Sequence, residues 1–153
     1  MAFMMGSRKR AVAGGVMLLS AAACATVSDN LVPYQISGDE IRAPLAALAG
    51  DAARGRDVLM GRDGNCLLCH AVPETGARFM GNLGPPLSGV GARLSAGQLR
   101  LRIVDPGRLN AESIMPSYYR MEGLARVAGV WQGKPVLTAQ QIEDTVAYLQ
   151  TLR

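Results

Sequence analysis

The chain of 153 residues is short of the side chains that fill cores or carry chemistry, with two Phe, one Trp, four Tyr, one His and three Cys. Aromatics make up 5% of the residues against eighteen Gly and eight Pro, which suggests many turns and too little bulk for a large core. Something else must fill the middle. A single histidine excludes any site that takes two imidazoles from this chain. Lysine is confined to Lys9 and Lys134. Long apolar runs are missing outside the N-terminus and mean hydropathy is only +0.15, which excludes a polytopic membrane protein. The length excludes two large domains, and an apolar fraction of 49% excludes general disorder.

What is present begins with a leader. Met1 to Arg10 has the basic n-region of a secretory signal, Ala11 to Ala23 is an apolar h-region, and Ala21, Ala23 and Ala25 suit peptidase cleavage after Ala25. The thirteen apolar residues span about 20 Å as a helix, short of the roughly 30 Å hydrocarbon core, so export is favoured over a retained anchor. Cys24 leaves lipidation open as a minority reading, and with it the only route to a membrane, although Ala21 stands where such signals usually carry leucine. Losing Arg8, Lys9 and Arg10 cuts the sixteen basic residues to thirteen against twelve acids, so the net charge falls from +4 to +1. Arginines then alternate with acids and form no basic stripe, which argues against a nucleic-acid partner. The expected organisation is a signal peptide over 1–25, an extended arm over 26–49 and one domain over 50–153.

The exported chain keeps two cysteines, within Cys66-Leu67-Leu68-Cys69-His70. This is the spacing of c-type haem attachment: two thiols one helical turn apart reach two vinyl groups, and the next residue aims its imidazole at the iron. A zinc site needs further Cys or His ligands that the exported chain lacks, and a thioredoxin-type pair needs an alternating strand and helix pattern that is absent. Bis-histidine ligation is impossible within this chain, so methionine is the candidate for the second axial position. Met80 lies only ten residues past His70, too near to circle the ring, and Met121 is read as packing. Met115, 45 residues past His70 and followed by Pro116, sits in an irregular polar stretch that can fold over the other face.

Three helices are expected to wrap the cofactor. The first runs from about Asp51 to Met60, with Gly55 allowing close approach of another helix near Tyr148. The second starts at Ser95 with Gln98 and stops before Pro106, and the third starts at Thr138 with Gln141, each with a capping box. Gly84-Pro85-Pro86-Leu87 reads as a rigid stretch whose carbonyl accepts the Nδ1 proton of His70, or equally as a surface turn. Arg93 either neutralises a haem propionate or is solvated. Val127 to Gly133 reads as a small hairpin or loop, with Trp131 in the core in preference to packing on the ring edge or on a partner.

These motifs together resemble the class I c-type cytochromes and, within them, the SoxX subunits of the bacterial thiosulfate-oxidising Sox system. The likeness rests on Gly50 to Arg56, Gly64 to His70, Gly84 to Gly91, Ile114-Met115-Pro116-Ser117-Tyr118-Tyr119 and Leu137 to Leu152. The choice of subfamily rests on the Gly-Asn-Cys lead-in and the Met-Pro-x-Tyr-Tyr segment. The resemblance implies a small all-α fold of about three to five helices around one haem c, with an extended N-terminal arm. It implies Cys66 and Cys69 as thioether attachments, His70 and Met115 as axial ligands, and a periplasmic location. It also implies a lasting heterodimer with a SoxA-like haem subunit. That pair oxidatively joins thiosulfate to a cysteine of the SoxYZ carrier. This chain would then accept electrons without substrate chemistry of its own and pass them to a downstream cytochrome or oxidase. The alternative is a freely diffusing monohaem carrier.

Overall fold

A computed structural model of the chain describes Met1 and residues 31–153; the expected h-region, the cleavage point after Ala25 and Cys24 lie outside the described residues. Among the described residues four α-helices carry the architecture: α1 (Ala52–Met60), α2 (Val90–Arg93), α3 (Ala96–Val104) and α4 (Ala139–Thr151). Among the described residues there is no strand, only an isolated antiparallel bridge between Ser37 and Glu40. No described helix is long and apolar enough to cross a membrane.

Local chemistry sets where the helices begin. The Asp51 side chain accepts the Arg54 N–H and caps α1. Ser95 with Gln98 and Thr138 with Gln141 form the two expected capping boxes at α3 and α4. Each box satisfies two backbone donors that the first helical turn leaves unpaired. The four-residue α2 had no counterpart among the expected helices.

α1 packs across α4 at Gly55, where an added methyl group would overlap the Asp144 carbonyl oxygen and lie 2.9 Å from the Thr145 nitrogen. The close approach is as expected, but its partner is the backbone at Asp144 and Thr145, one turn before Tyr148. Contact at the glycine is set by main-chain atoms, so a bulky side chain is not what fills the gap. Asp144 then binds the crossing together: it accepts from the Asp51 N–H at 2.8 Å, from Arg54 Nε and Nη2 at 2.8 Å and from Gln140 Nε2 at 2.9 Å.

The chain over 31–50 makes no helix but joins the core, with Ile41 0% and Leu45 4% exposed. Burying each such side chain contributes about 1.5–3 kcal/mol relative to exposure. A buried ion pair fixes this arm to the helices. Arg100 on α3 meets Glu143 on α4 through two bonds of 2.7 Å, and Arg100 Nη1 donates to the Ile41 carbonyl at 2.6 Å. The Leu45 N–H donates to the same Glu143 carboxylate at 2.8 Å. Of the two forms expected for the 127–133 run the structure shows the loop and not the hairpin: it forms a 3-10 turn, Gly129–Trp131, because its N–H groups bond to carbonyls three residues back rather than to a facing strand. Trp131 is 36% exposed and is not a core residue.

Two stability predictions follow from these contacts. Arg100→Met leaves Glu143 buried and unpaired, so urea melts should show a loss of about 3–5 kcal/mol; a loss below about 1 kcal/mol would remove the pair from the account of how the arm is held. Burial pushes the Asp144 carboxyl up, but hydrogen bonds from Arg54, the Asp51 N–H and Gln140 outweigh it and hold the group below its ordinary 3.8. As pH falls the unfolded carboxyl takes its proton first. The stabilisation is therefore complete above about pH 4 and disappears as pH drops through the folded value. Acid melts of Asp144→Asn should show a flatter decline over that range than the wild type.

Candidate functional site

The end of α1 leads straight into the site. The Gly61 N–H closes the helix on the Asp57 and Val58 carbonyls, and Gly64 passes so near the Val58 carbonyl that a methyl group there would overlap it. Asn65 takes a left-handed φ of 45°, a conformation Asn tolerates better than most residues, and starts the 3-10 turn Cys66–Leu68. Cys66 and Cys69 are not joined in a disulfide, and the His70 N–H bonds to the Cys66 carbonyl at 2.9 Å.

A second segment runs alongside. The N–H groups of Gly81, Gly84 and Leu87 donate to the carbonyls of Leu67, Cys69 and Ala71 at 2.8, 2.8 and 2.9 Å. This pairing brings the Pro85 carbonyl oxygen to 2.7 Å from His70 Nδ1. A carbonyl only accepts, so Nδ1 carries the proton and Nε2 keeps its lone pair, the tautomer that a metal ligand needs. The ring is seated on Gly84: a methyl group there would overlap His70 Cε1 and lie 2.7 Å from Nδ1.

Cys66, Cys69, His70 and Met115 all line one cavity of about 710 Å³, whose walls are otherwise largely apolar, with Leu59, Leu99 and Leu149 among them. Among the described residues Met115 is the methionine that lines it. The other two candidates lie elsewhere. Met80 Sδ accepts the Val72 N–H at 3.1 Å, and Met121 borders a separate hollow of about 390 Å³ beside Trp131.

Burial pushes the Cys66 thiol up to about 11, so its sulfur resists charge. Burial, with Cys66 and Cys69 adding to it, also raises Tyr118, whose hydroxyl donates to the Gly64 carbonyl at 2.7 Å. Arg93 lines the cavity but is exposed, and its Nη1 and Nη2 donate to the carbonyls of Ser88 at 2.7 Å and Pro86 at 3.4 Å. Sequence reasoning missed three contributors: Gly84 as the seat of the ring, Tyr118 as a brace on the Cys66 lead-in, and Arg102 on the cavity wall. Arg102 was open to detection, since it falls three residues after Leu99 on the same face of α3.

These residues fit a haem c. The cavity lies within the roughly 300–1,000 Å³ of cofactor and ligand sites. A sulfur environment that penalises a thiolate suits an uncharged thioether. A proton fixed on Nδ1 and a glycine under the ring hold one imidazole nitrogen ready for iron.

Fold and site together define a small all-α c-type cytochrome of class I. The family model for cytochrome c matches residues 52–153, and the chain belongs to that family. It resembles SoxX: it is similar to a chain in the crystal structure of SoxXA from P. pantotrophus, with 31% identity and a TM-score of 0.72 over 78% of this chain and 93% of that one. No curated protein matches it. Membership of the family implies covalently bound haem c and a role in electron transfer.

Gly84→Ala tests the seat. In a host that matures c-type cytochromes, the added methyl group should displace the His70 ring and cut the yield of coloured protein several-fold, with helix content kept. A full yield with unaltered visible spectra would show that the ring does not need the glycine.

Proposed function

We propose that this chain is exported to the periplasm and carries one haem c, bound through Cys66 and Cys69 with His70 and Met115 as axial ligands. In this reading it is the electron-accepting, SoxX-like subunit of a SoxXA-type enzyme. The observation that carries the ligation is the single cavity shared by Cys66, Cys69, His70 and Met115. When bound, the haem supplies a one-electron redox centre whose Met and His ligation favours a raised reduction potential.

The residues of this chain anchor, orient and enclose. Cys66 and Cys69 would fix the position of the haem, Pro85 accepts the Nδ1 proton of His70, and His70 and Met115 would hold the iron. With both committed to the metal, this chain would leave no place there for substrate, and substrate chemistry would belong to a partner. The proposed partner is a SoxA-like haem subunit acting on thiosulfate and the cysteine of a SoxYZ-like carrier, with a downstream cytochrome or oxidase taking the electrons.

The charge pattern supports a lasting complex over a diffusing shuttle. Carriers that dock transiently often use a ring of lysines to steer the encounter. Beyond the leader this chain has Lys134 alone.

Two measurements test the reading. Met115→Ala should abolish the far-red sulfur-to-iron absorption and allow carbon monoxide to bind the reduced protein at neutral pH, while Met80→Ala and Met121→Ala should do neither. A far-red band that survives Met115→Ala would overturn the ligation. Purified from its native periplasm, the chain should co-elute with a second haem protein at the mass of a heterodimer. Elution as a monomer would favour the freely diffusing carrier.

A further inference from the structure

We infer that Arg93 is a positioning residue for the His70 imidazole, acting through the loop that presents the Pro85 carbonyl. The inference rests on the reading of His70 as a haem ligand and assigns Arg93 a task other than pairing with a propionate.

The loop has an internal weakness. Pro85 and Pro86 have no N–H, so between the Gly84 and Leu87 bonds to the haem-attachment segment the backbone has no donor with which to anchor itself. Arg93 supplies donors from outside. Its fork reaches two carbonyls of the same loop, Ser88 at 2.7 Å and Pro86 at 3.4 Å, and Pro86 is the residue next to the carbonyl that meets His70 Nδ1 at 2.7 Å. The Ser88 hydroxyl adds a long bond to Glu74 Oε2 at 3.3 Å, so that the firm contact among these is the one from Arg93 to Ser88.

The other end of this brace is firm. Arg93 is the last residue of α2, and the Gly91 N–H bonds to the Leu152 carbonyl at 2.9 Å, where an added methyl group would lie 2.6 Å from the Leu149 and Gln150 carbonyl oxygens. Gly89, at φ +67°, gives the guanidinium room, since a methyl group there would sit 3.1 Å from Nη1. The connection therefore runs from α4 through α2 and Arg93 to the loop, and from the loop to the ring of His70.

Chemistry gives this role a sign. A firm Nδ1–H···O bond makes the imidazole a stronger donor and stabilises the oxidised metal, so loosening it raises the reduction potential. A purely electrostatic Arg93 predicts the opposite: removing a cation near the iron lowers the potential. Arg93 is exposed, so that electrostatic effect fades at high salt, where the screening length shrinks to a few Å.

The test uses the matured, coloured protein and two variants, Arg93→Met and Arg93→Lys. In the reduced state, NMR should show the His70 Nδ1 proton exchanging with solvent on the order of tenfold faster in Arg93→Met, the effect of losing one charge-assisted hydrogen bond. Arg93→Lys, with a single head in place of the fork, should fall between that variant and the wild type. The potential of Arg93→Met at high salt should lie above that of the wild type, with the far-red band retained. Unchanged proton exchange, or a potential at high salt equal to or below that of the wild type, would overturn the inference alone. Wild-type protein that matures colourless would overturn the haem reading and this inference with it.

Discussion

A helix crossing with no room for a side chain governs this fold. Where α1 meets α4, Gly55 lies against the Asp144 carbonyl, and the other two helices and the arm are also tied to α4. α2 is tied to it by the Gly91 N–H and Leu152, and α3 by the Arg100–Glu143 pair. The arm is tied through the Leu45 N–H and the same Glu143 carboxylate. The two long connections, 61–89 and 105–138, contain only 3-10 turns as regular structure. They are not ordered by continuous helix, so their course depends on ends fixed by the helices and on bonds between segments.

Those connections carry the site, which shapes how it is held. The attachment segment and the 81–87 stretch are joined by main-chain bonds, which ask little of side chains except at positions where none fits. Gly81 is one: a methyl group there would overlap the Leu68 carbonyl, and Gly84 is limited in the same way by the His70 ring. The low aromatic content fits this arrangement. Side chains build a wall around the cavity, and a covalently bound cofactor supplies the bulk that Phe and Trp would otherwise provide.

Features that depend on neighbours in sequence were legible before the structure. Both capping boxes need only residues three apart, and Cys66, Cys69 and His70 occupy a single turn. The preference for Met115 over Met80 and Met121 followed from chain length and a proline, and in the structure Met115 is the one that shares the cavity with His70. The Pro85 carbonyl was a reading balanced against a surface turn; the structure shows it 2.7 Å from Nδ1. What stayed hidden depends on pairing between distant residues. Arg100 and Glu143 lie 43 residues apart, and no period in the sequence marks them as partners. Arg93 could be assigned a carboxylate or water, but its actual acceptors are carbonyls, which leave no trace in side-chain chemistry. Trp131 looked like a core residue on hydrophobicity alone, yet its segment closes on itself in a turn and leaves the indole at the surface.

The two proposed axial ligands are held very differently. His70 is bonded at its own N–H, at Nδ1 and, through Cys69 and Ala71 on either side, to the neighbouring segment. Met115 is anchored from one direction. After it, the Tyr118 N–H meets the Ile103 carbonyl at 3.1 Å, the Leu137 N–H meets the Tyr118 carbonyl at 3.0 Å and the Ser117 hydroxyl meets Asp105 at 2.9 Å. Before it, the Ser113 and Glu112 N–H groups bond only to Asn110, within one local turn, and Ile114 is 72% exposed. Segments with few buried contacts and local bonds open at lower free energy than those fixed at both ends. In the proposed ligation the sulfur side is therefore the first to loosen. In that ligation Met115 would be held in place chiefly by the Ser117 and Tyr118 anchors that follow it.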